Sequence, residues 1–89
     1  MAESYLEVTF RRDRPIAAYY YLPPCPCPKS YWTMLVDPGT VVDFSRSGKP
    51  IGIEITAPTK ISLPAINRVL KDLGLAPVRR ADFAPLLAA

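Results

Sequence analysis

The residues able to do chemistry are few, and Cys25-x-Cys27 is the sharpest case. Two thiolates per chain, four across a pair of chains, would match a Cys₄ zinc set. Structural zinc sites favour C-x₂-C spacing, however, and the chain has no histidine to complete a mixed set. For a redox role, only Lys29 stands near enough in sequence to favour a thiolate. The plainer reading is two small apolar residues in the proline-stiffened run Pro23-Pro24-Cys25-Pro26-Cys27-Pro28-Lys29, with no metal and no cofactor.

Asp43 and Glu54 are the second candidate. A pair of carboxyl groups working as acid and base sits about 5–9.5 Å apart. Their spacing depends on how Asp37 to Ala57 folds. Thr40–Phe44 and 50–56 alternate as strands, with Ile51, Ile53 and Ile55 sharing one face and Gly52, Glu54 and Thr56 the other. Ser45-Arg46-Ser47-Gly48 between them suits a four-residue loop on a type I turn, with Gly48 supplying positive φ. That loop places Phe44 opposite Lys49, Val42 opposite Ile51 and Val41 opposite Gly52. A slip by one residue would put Val42 and the isoleucines on opposite faces, so burial selects against it. Asp43 then faces Pro50, with Glu54 four residues further on, roughly 13 Å at ~3.4 Å per residue. At that distance the two are ordinary sheet-face residues, with Glu54 paired to Arg11 or Lys49 or lying at a dimer contact.

Arg11, Arg12, Arg14, Arg79 and Arg80, with Tyr19, Tyr21 and Tyr31, have the composition of a stacking platform for single-stranded nucleic acid. No RNP-like motif accompanies them, and arginines in turns are usually solvated, so this reading ranks below protein binding. The lack of histidine also excludes Ser-His-Asp and Cys-His catalysis. Gly39, Gly48, Gly52 and Gly74 are scattered and form no phosphate-cradling loop. They read as structural turn positions. No catalytic constellation is present, and the chain is read as a non-enzyme.

The elements that position these residues follow from periodicity. Residues 5–10 alternate, with Leu6, Val8 and Phe10 on one face and Tyr5, Glu7 and Thr9 on the other. Arg11 to Pro15 is a polar turn. Residues 16–22 are apolar on both faces, with Ile16, Ala18, Tyr20 and Leu22 directed to the core and Ala17, Tyr19 and Tyr21 away from it, which marks an inner strand. Residues 30–36 resume strand character, with Trp32, Met34 and Val36 on one side, and Asp37-Pro38-Gly39 is a turn. From residue 62 the period becomes helical. Leu63, Ile66, Val69, Leu70 and Leu73 form one stripe, opposite Asn67, Arg68, Lys71 and Asp72. Ser62 is the expected N-cap, Pro64 fits the first turn, and Gly74 is the expected stop. In the tail from Pro77, Asp82 is expected to cap a short turn over 83–88, whose Phe83, Leu86 and Leu87 are too apolar to hang free.

Eighty-nine residues with strands first and helix last define one α+β domain, 1–89. It comprises a sheet region over 5–56, a helix over 62–74 and a docked tail over 77–89. The sheet is expected to be an antiparallel meander of four or five strands, with the helix on one face. Apolar content of 49% against 21% charged is high for so small a chain, and predicts that the other face meets a partner. Ala17, Tyr19, Tyr21, Val41, Asp43 and Glu54 would make that contact, in a homodimer or with another small protein, since interfaces favour Tyr. A net charge of +3 implies no particular partner. Met1-Ala2-Glu3-Ser4 has neither a basic nor an apolar leader, and no apolar run approaches the ~20 residues that span a bilayer, so a cytoplasmic, non-membrane chain is expected.

The run V-V-D-F-S-R-S-G-K-P-I-G-I-E-I, Val41 to Ile55, resembles a small prokaryotic family known as domain of unknown function 2283. The matching positions are Val42-Asp43-Phe44, Gly48 and Gly52-Ile53-Glu54-Ile55, and Ile16-Ala17-Ala18-Tyr19-Tyr20-Tyr21-Leu22 resembles the family's earlier A-D-A-L-Y-I-x-L strand. The likeness covers roughly Tyr5 to Thr56. It departs at Ala17, where the family carries Asp, and in the Pro/Cys loop. It implies a small sheet domain without assigned activity and, by family association, an antitoxin-like role beside a small toxin-like protein.

The metal reading has a direct check. Protein purified without chelator is expected to carry zinc far below one ion per two chains by elemental analysis; a ratio near one per two chains would establish the Cys₄ set.

Overall fold

Two-sided apolar strands must lie inside a sheet, and the chain arranges itself accordingly. A computed structural model describes residues 4–22, 30–37 and 39–87. Within them are β1 (Tyr5–Arg11), β2 (Arg14–Tyr21), β3 (Trp32–Asp37), β4 (Thr40–Phe44), β5 (Pro50–Ile55), a 3-10 turn Pro58–Lys60, α1 (Leu63–Asp72) and α2 (Arg80–Leu87). The five strands form one antiparallel sheet in the order β1-β2-β5-β4-β3. The α+β class is therefore as the periodicity predicts. The order departs from a strictly sequential meander, because β2 is flanked by β5 and not by β3. The hairpin β1–β2 and the meander β3–β4–β5 meet along a β2/β5 seam. This puts the strands with the most apolar inner faces in the middle and leaves β1 and β3 as edges.

The core lies between the sheet and both helices. Val42, Ile53 and Ile55 from the sheet meet Ile66 and Leu70 of α1 and Phe83 of α2, all fully buried. Ala18, Tyr20, Leu22, Phe44, Val69, Val78 and Leu86 complete the cluster. Burying a side chain of this size contributes about 1.5–3 kcal/mol, so this single layer accounts for most of what a small domain can gather.

α1 begins and ends as its sequence dictates. The Ser62 hydroxyl accepts the Ala65 N–H at 3.2 Å, and Pro64 sits in the first turn, where its missing donor costs little. At the other end Gly74 N–H donates to the Lys71 carbonyl at 3.0 Å and Leu75 N–H to the Leu70 carbonyl at 2.8 Å, a Schellman stop. Asn67, which the stripe assigns to the solvent face, has a different task. Its amide accepts the Val78 N–H at 2.8 Å and donates to the Val78 carbonyl at 3.3 Å, imitating a strand partner and fastening the tail to α1. α2 then starts at Arg80, earlier than expected, so Asp82 is not its cap. The Arg79 carbonyl accepts from the Asp82 and Phe83 amides, and the Asp82 carboxylate pairs with Arg79 at 3.1 Å. Pro85 inside α2 removes a donor, so docking of Phe83 and Leu86 holds this short helix more than its own ladder does. The docked tail is thus on this chain; the side chain of Leu87 and residue 88 lie outside what is described.

The β4–β5 register differs from the expected one by two residues. Val42 faces Ile53, Val41 faces Glu54 and Asp43 faces Gly52, with an irregularity before Phe44, which faces Pro50. The loop is three residues long, closed by Ser45 N–H to the Lys49 carbonyl at 2.8 Å and by Gly48 N–H to the Ser45 carbonyl at 2.9 Å, with Gly48 at φ 86°. This shorter loop and the bulge opposite Phe44 each shift the count by one. The total shift is even, so the isoleucines and Val42 keep their common face.

Phe10 and Ile16 were expected in the core and are instead about half exposed, at 51% and 49%. The β1–β2 pairing shifts between Thr9 and Phe10, so Ile16 has no opposite number and Pro15 takes the inner place. A bulge of this kind turns the hairpin end away from the core. Beyond it, Arg11 faces Arg14 and the connecting pair Arg12 and Asp13 sits at φ 53° and 64°. Positive φ at both central residues defines a type I′ turn, which favours Asn-Gly. Replacing Arg12→Asn together with Asp13→Gly is expected to raise stability by about 1 kcal/mol. The check is a higher urea midpoint with unchanged slope.

Candidate functional site

The face of the sheet opposite the helices carries the candidate site. Strand pairing places Tyr5, Glu7 and Thr9 of β1, Ala17, Tyr19 and Tyr21 of β2, Gly52 and Glu54 of β5, Val41 and Asp43 of β4, and Thr33 and Leu35 of β3 on it together. All six residues expected to form an interface, Ala17, Tyr19, Tyr21, Val41, Asp43 and Glu54, therefore share one surface. Tyr5 and Glu7 join them. Their alternation with Leu6 and Val8 carried that signal, but only the hairpin pairing brings Glu7 opposite Tyr19 and Tyr5 opposite Tyr21.

The tyrosines form a continuous ribbon. Tyr5 stacks on Tyr21 with ring centroids 4.5 Å apart and planes 16° from parallel, and Tyr21 meets Tyr19 at 4.6 Å and 52°. The Tyr21 hydroxyl donates to Glu7 Oε1 at 3.2 Å. The Tyr19 hydroxyl donates to Asp43 Oδ2 at 2.6 Å, a short charge-assisted bond reaching across β5. That reach requires Gly52. Tyr19 pairs with Glu54, so its ring must pass diagonally over the neighbouring position on β5, and a methyl at Gly52 would overlap the Tyr19 ring and hydroxyl. Gly52 is therefore a mid-strand residue covered by an aromatic ring, not the turn position the sequence reading gave it. Gly39, Gly48 and Gly74 do lie at turns, each with positive φ.

Asp43 and Glu54 stand closer than expected. Asp43 is opposite Gly52, so Glu54 is two residues along and not four, which makes the pair diagonal neighbours at about 7–8 Å between Cα atoms. The distance argument against an acid–base pair thus fails, but the two groups differ in circumstance. Asp43 is buried and already bound to Tyr19, whereas Glu54 is exposed. Among the described residues Glu54 makes no ion pair with Arg11 or Lys49. The two described concavities lie elsewhere, one between β3 and α1 and one at the arginine hairpin tip.

The basic residues are spread around the tyrosines and do not gather on the ribbon. Arg11, Arg12 and Arg14 gather at the β1–β2 tip, and Arg79 and Arg80 lead into α2 on the helical side. Tyr31 precedes β3, exposed, with the Arg46 guanidinium 5.8 Å from its ring centroid. Beside the tyrosines this face holds three carboxylates, Glu7, Asp43 and Glu54, while Arg11 and its partner Arg14 continue the same face at the hairpin end, beyond Thr9 and Ala17. Cys25 and Cys27 lie outside the described residues. Among those residues no cluster of metal-ligating side chains occurs, and no helix is long and apolar enough to cross a membrane.

Comparison with family models, with curated proteins and with solved structures finds no match to this chain.

The diagonal Tyr19–Asp43 bond yields a test. Gly52→Ala is expected to push the Tyr19 ring aside and lose that bond, at a cost of about 1–3 kcal/mol, because Asp43 is left buried without its donor. Loss of near-ultraviolet tyrosine dichroism with an intact far-ultraviolet spectrum reports it. Unchanged near-ultraviolet signal and stability would show that the ring does not cover Gly52.

Proposed function

We propose that this chain is a non-enzymatic protein-interaction domain, and that its tyrosine face receives a basic segment of another protein. The observation that carries this reading is an aromatic ribbon, Tyr5–Tyr21–Tyr19, set beside Glu7 and Glu54, with Arg11 and Arg14 further along at the hairpin end. Tyrosine faces attract arginine and lysine through their ring quadrupoles, and a carboxylate beside the ring strengthens that attraction. The chain as a whole carries +3, yet the charges flanking the tyrosine ribbon, Glu7 and Glu54, are negative, which suits it to accept a cation. Interfaces draw on Tyr because it supplies area and a hydroxyl at low entropic cost.

The same charges weigh against the rival reading, a ligand-binding or single-stranded nucleic-acid module on this face. Phosphates brought to the tyrosines would meet Glu7, Asp43 and Glu54. They also weigh against a homodimer formed face to face, which would bring six carboxylates together. Acid–base catalysis draws no support, since the buried member of the carboxylate pair is engaged by Tyr19. The family resemblance gives the partner a character, a small toxin-like protein, and the chain an antitoxin-like role in the cytoplasm. This role calls for no cofactor and no metal.

The test is amide chemical-shift mapping with two probes, a hexa-arginine peptide and a single-stranded oligothymidylate. The peptide is expected to shift Tyr19, Tyr21 and Glu54, and Tyr21→Ala with Glu54→Lys is expected to weaken it about tenfold with the fold intact. Oligothymidylate shifting those residues instead, or neither probe doing so, would overturn the proposal.

A further inference from the structure

The two edges of the sheet are unequally protected. The β1–β2 pairing is irregular near its hairpin end, and charged Glu7 and Arg11 lie along β1, a device that discourages a foreign strand. β3 is also irregular, between Leu35 and Asp37, but its first five residues, Trp32-Thr33-Met34-Leu35-Val36, carry no charge, and Trp32 to Leu35 pair with β4 in unbroken register. It pairs with β4 on one side only. Trp32 is 44% exposed, Met34 41% and Leu35 69%, although Trp32 is also stacked on Phe44 with centroids 4.1 Å apart. Four of the seven large exposed apolar residues, counting Tyr31, belong to this edge. Alongside runs a groove of about 400 Å³ between β3 and α1, lined by Met34, Val36, Arg68, Val69, Asp72 and Leu73.

The groove has a floor of apolar side chains and one cation and one anion on the same helix. Arg68 and Asp72 are both exposed, four residues apart, and among the described residues neither is in an ion pair. A two-fold contact requires a surface to be its own complement, residue i meeting j while j meets i. An uncharged edge strand pairs with itself in antiparallel sense. Two α1 helices related by that same axis run antiparallel, so the Arg68 end of each lies on the side of the Asp72 end of the other.

We propose that a second copy of this chain docks on β3, continuing the sheet from one β3 to the other. Met34 and Val36 of both copies fill the two grooves, which become one, and two reciprocal Arg68–Asp72 pairs set the alignment. The occupant is a second copy, because a two-fold axis makes Arg68 and Asp72 reciprocal partners without any further charged group. The tyrosine faces stay open in this dimer, so the proposal is independent of what binds there.

Sedimentation equilibrium on the full chain tests it. The wild type is expected at twice 9.9 kDa. Met34→Lys is expected as a monomer, since a charge on an edge strand blocks pairing. Arg68→Asp alone and Asp72→Arg alone are each expected to weaken the dimer about tenfold, and the double variant Arg68→Asp/Asp72→Arg to restore it, with helicity unchanged throughout. A monomeric wild type, a dimer indifferent to Met34→Lys, or single and double charge variants that behave alike would each overturn it. A dimer abolished by Tyr21→Ala but not by Met34→Lys would place the contact on the tyrosine face.

Discussion

One strand with two unlike sides governs this domain. On one side β5 offers Ile51, Ile53 and Ile55, buried to 3% exposure or less; on the other it offers Gly52 and Glu54. The isoleucine side has to be kept dry, which calls in β2 and β4 as neighbours and α1 and α2 as a lid. The glycine side has no bulk of its own, so a ring from the next strand lies across it. The core and the tyrosine face are thus consequences of the same six residues, and neither could be moved by one register step without exchanging places with the other.

The parity of each strand was legible in the sequence, and so were the helix, its Ser62 cap and its Gly74 stop, because each depends on residues a few positions apart. What escaped were quantities set by counting across turns. A three-residue loop and a bulge near Phe44 changed the β4–β5 register by two, an even number, so the buried set survived while the Asp43–Glu54 distance did not. At the other hairpin a single bulge moved Phe10 and Ile16 out of the core. Nothing in the local pattern announces an unpaired residue. The β2–β5 adjacency was also hidden, since it joins segments whose compatibility shows only once both are known to be apolar on the inside.

The candidate site divides in the same way. That Ala17, Tyr19, Tyr21, Val41, Asp43 and Glu54 would share a surface followed from alternation alone. That Tyr19 would spend its hydroxyl on Asp43, and that Gly52 would be the gap it crosses, required a diagonal that no one-dimensional spacing reports. The arginines and tyrosines, which composition groups together, are spread by the fold, Arg11, Arg12 and Arg14 to a hairpin tip and Arg79 and Arg80 to the start of α2. The carboxylates Glu7, Asp43 and Glu54, which composition did not group with the tyrosines, are the charges that stand beside the ribbon.

The seam between β2 and β5 also says something about how the chain reaches this shape. Ala18 must find Ile55 across the whole of β3, β4 and their connections. Each half closes on itself through turns of two or three residues at β1–β2 and β4–β5, and such closures take microseconds. Uniting the halves means ordering a long intervening segment before any contact rewards it. The hairpin turns are thus local closures and the β2–β5 seam a distant one, and without the seam the isoleucine edge of one half and the tyrosine strand of the other each lack a neighbour on that side.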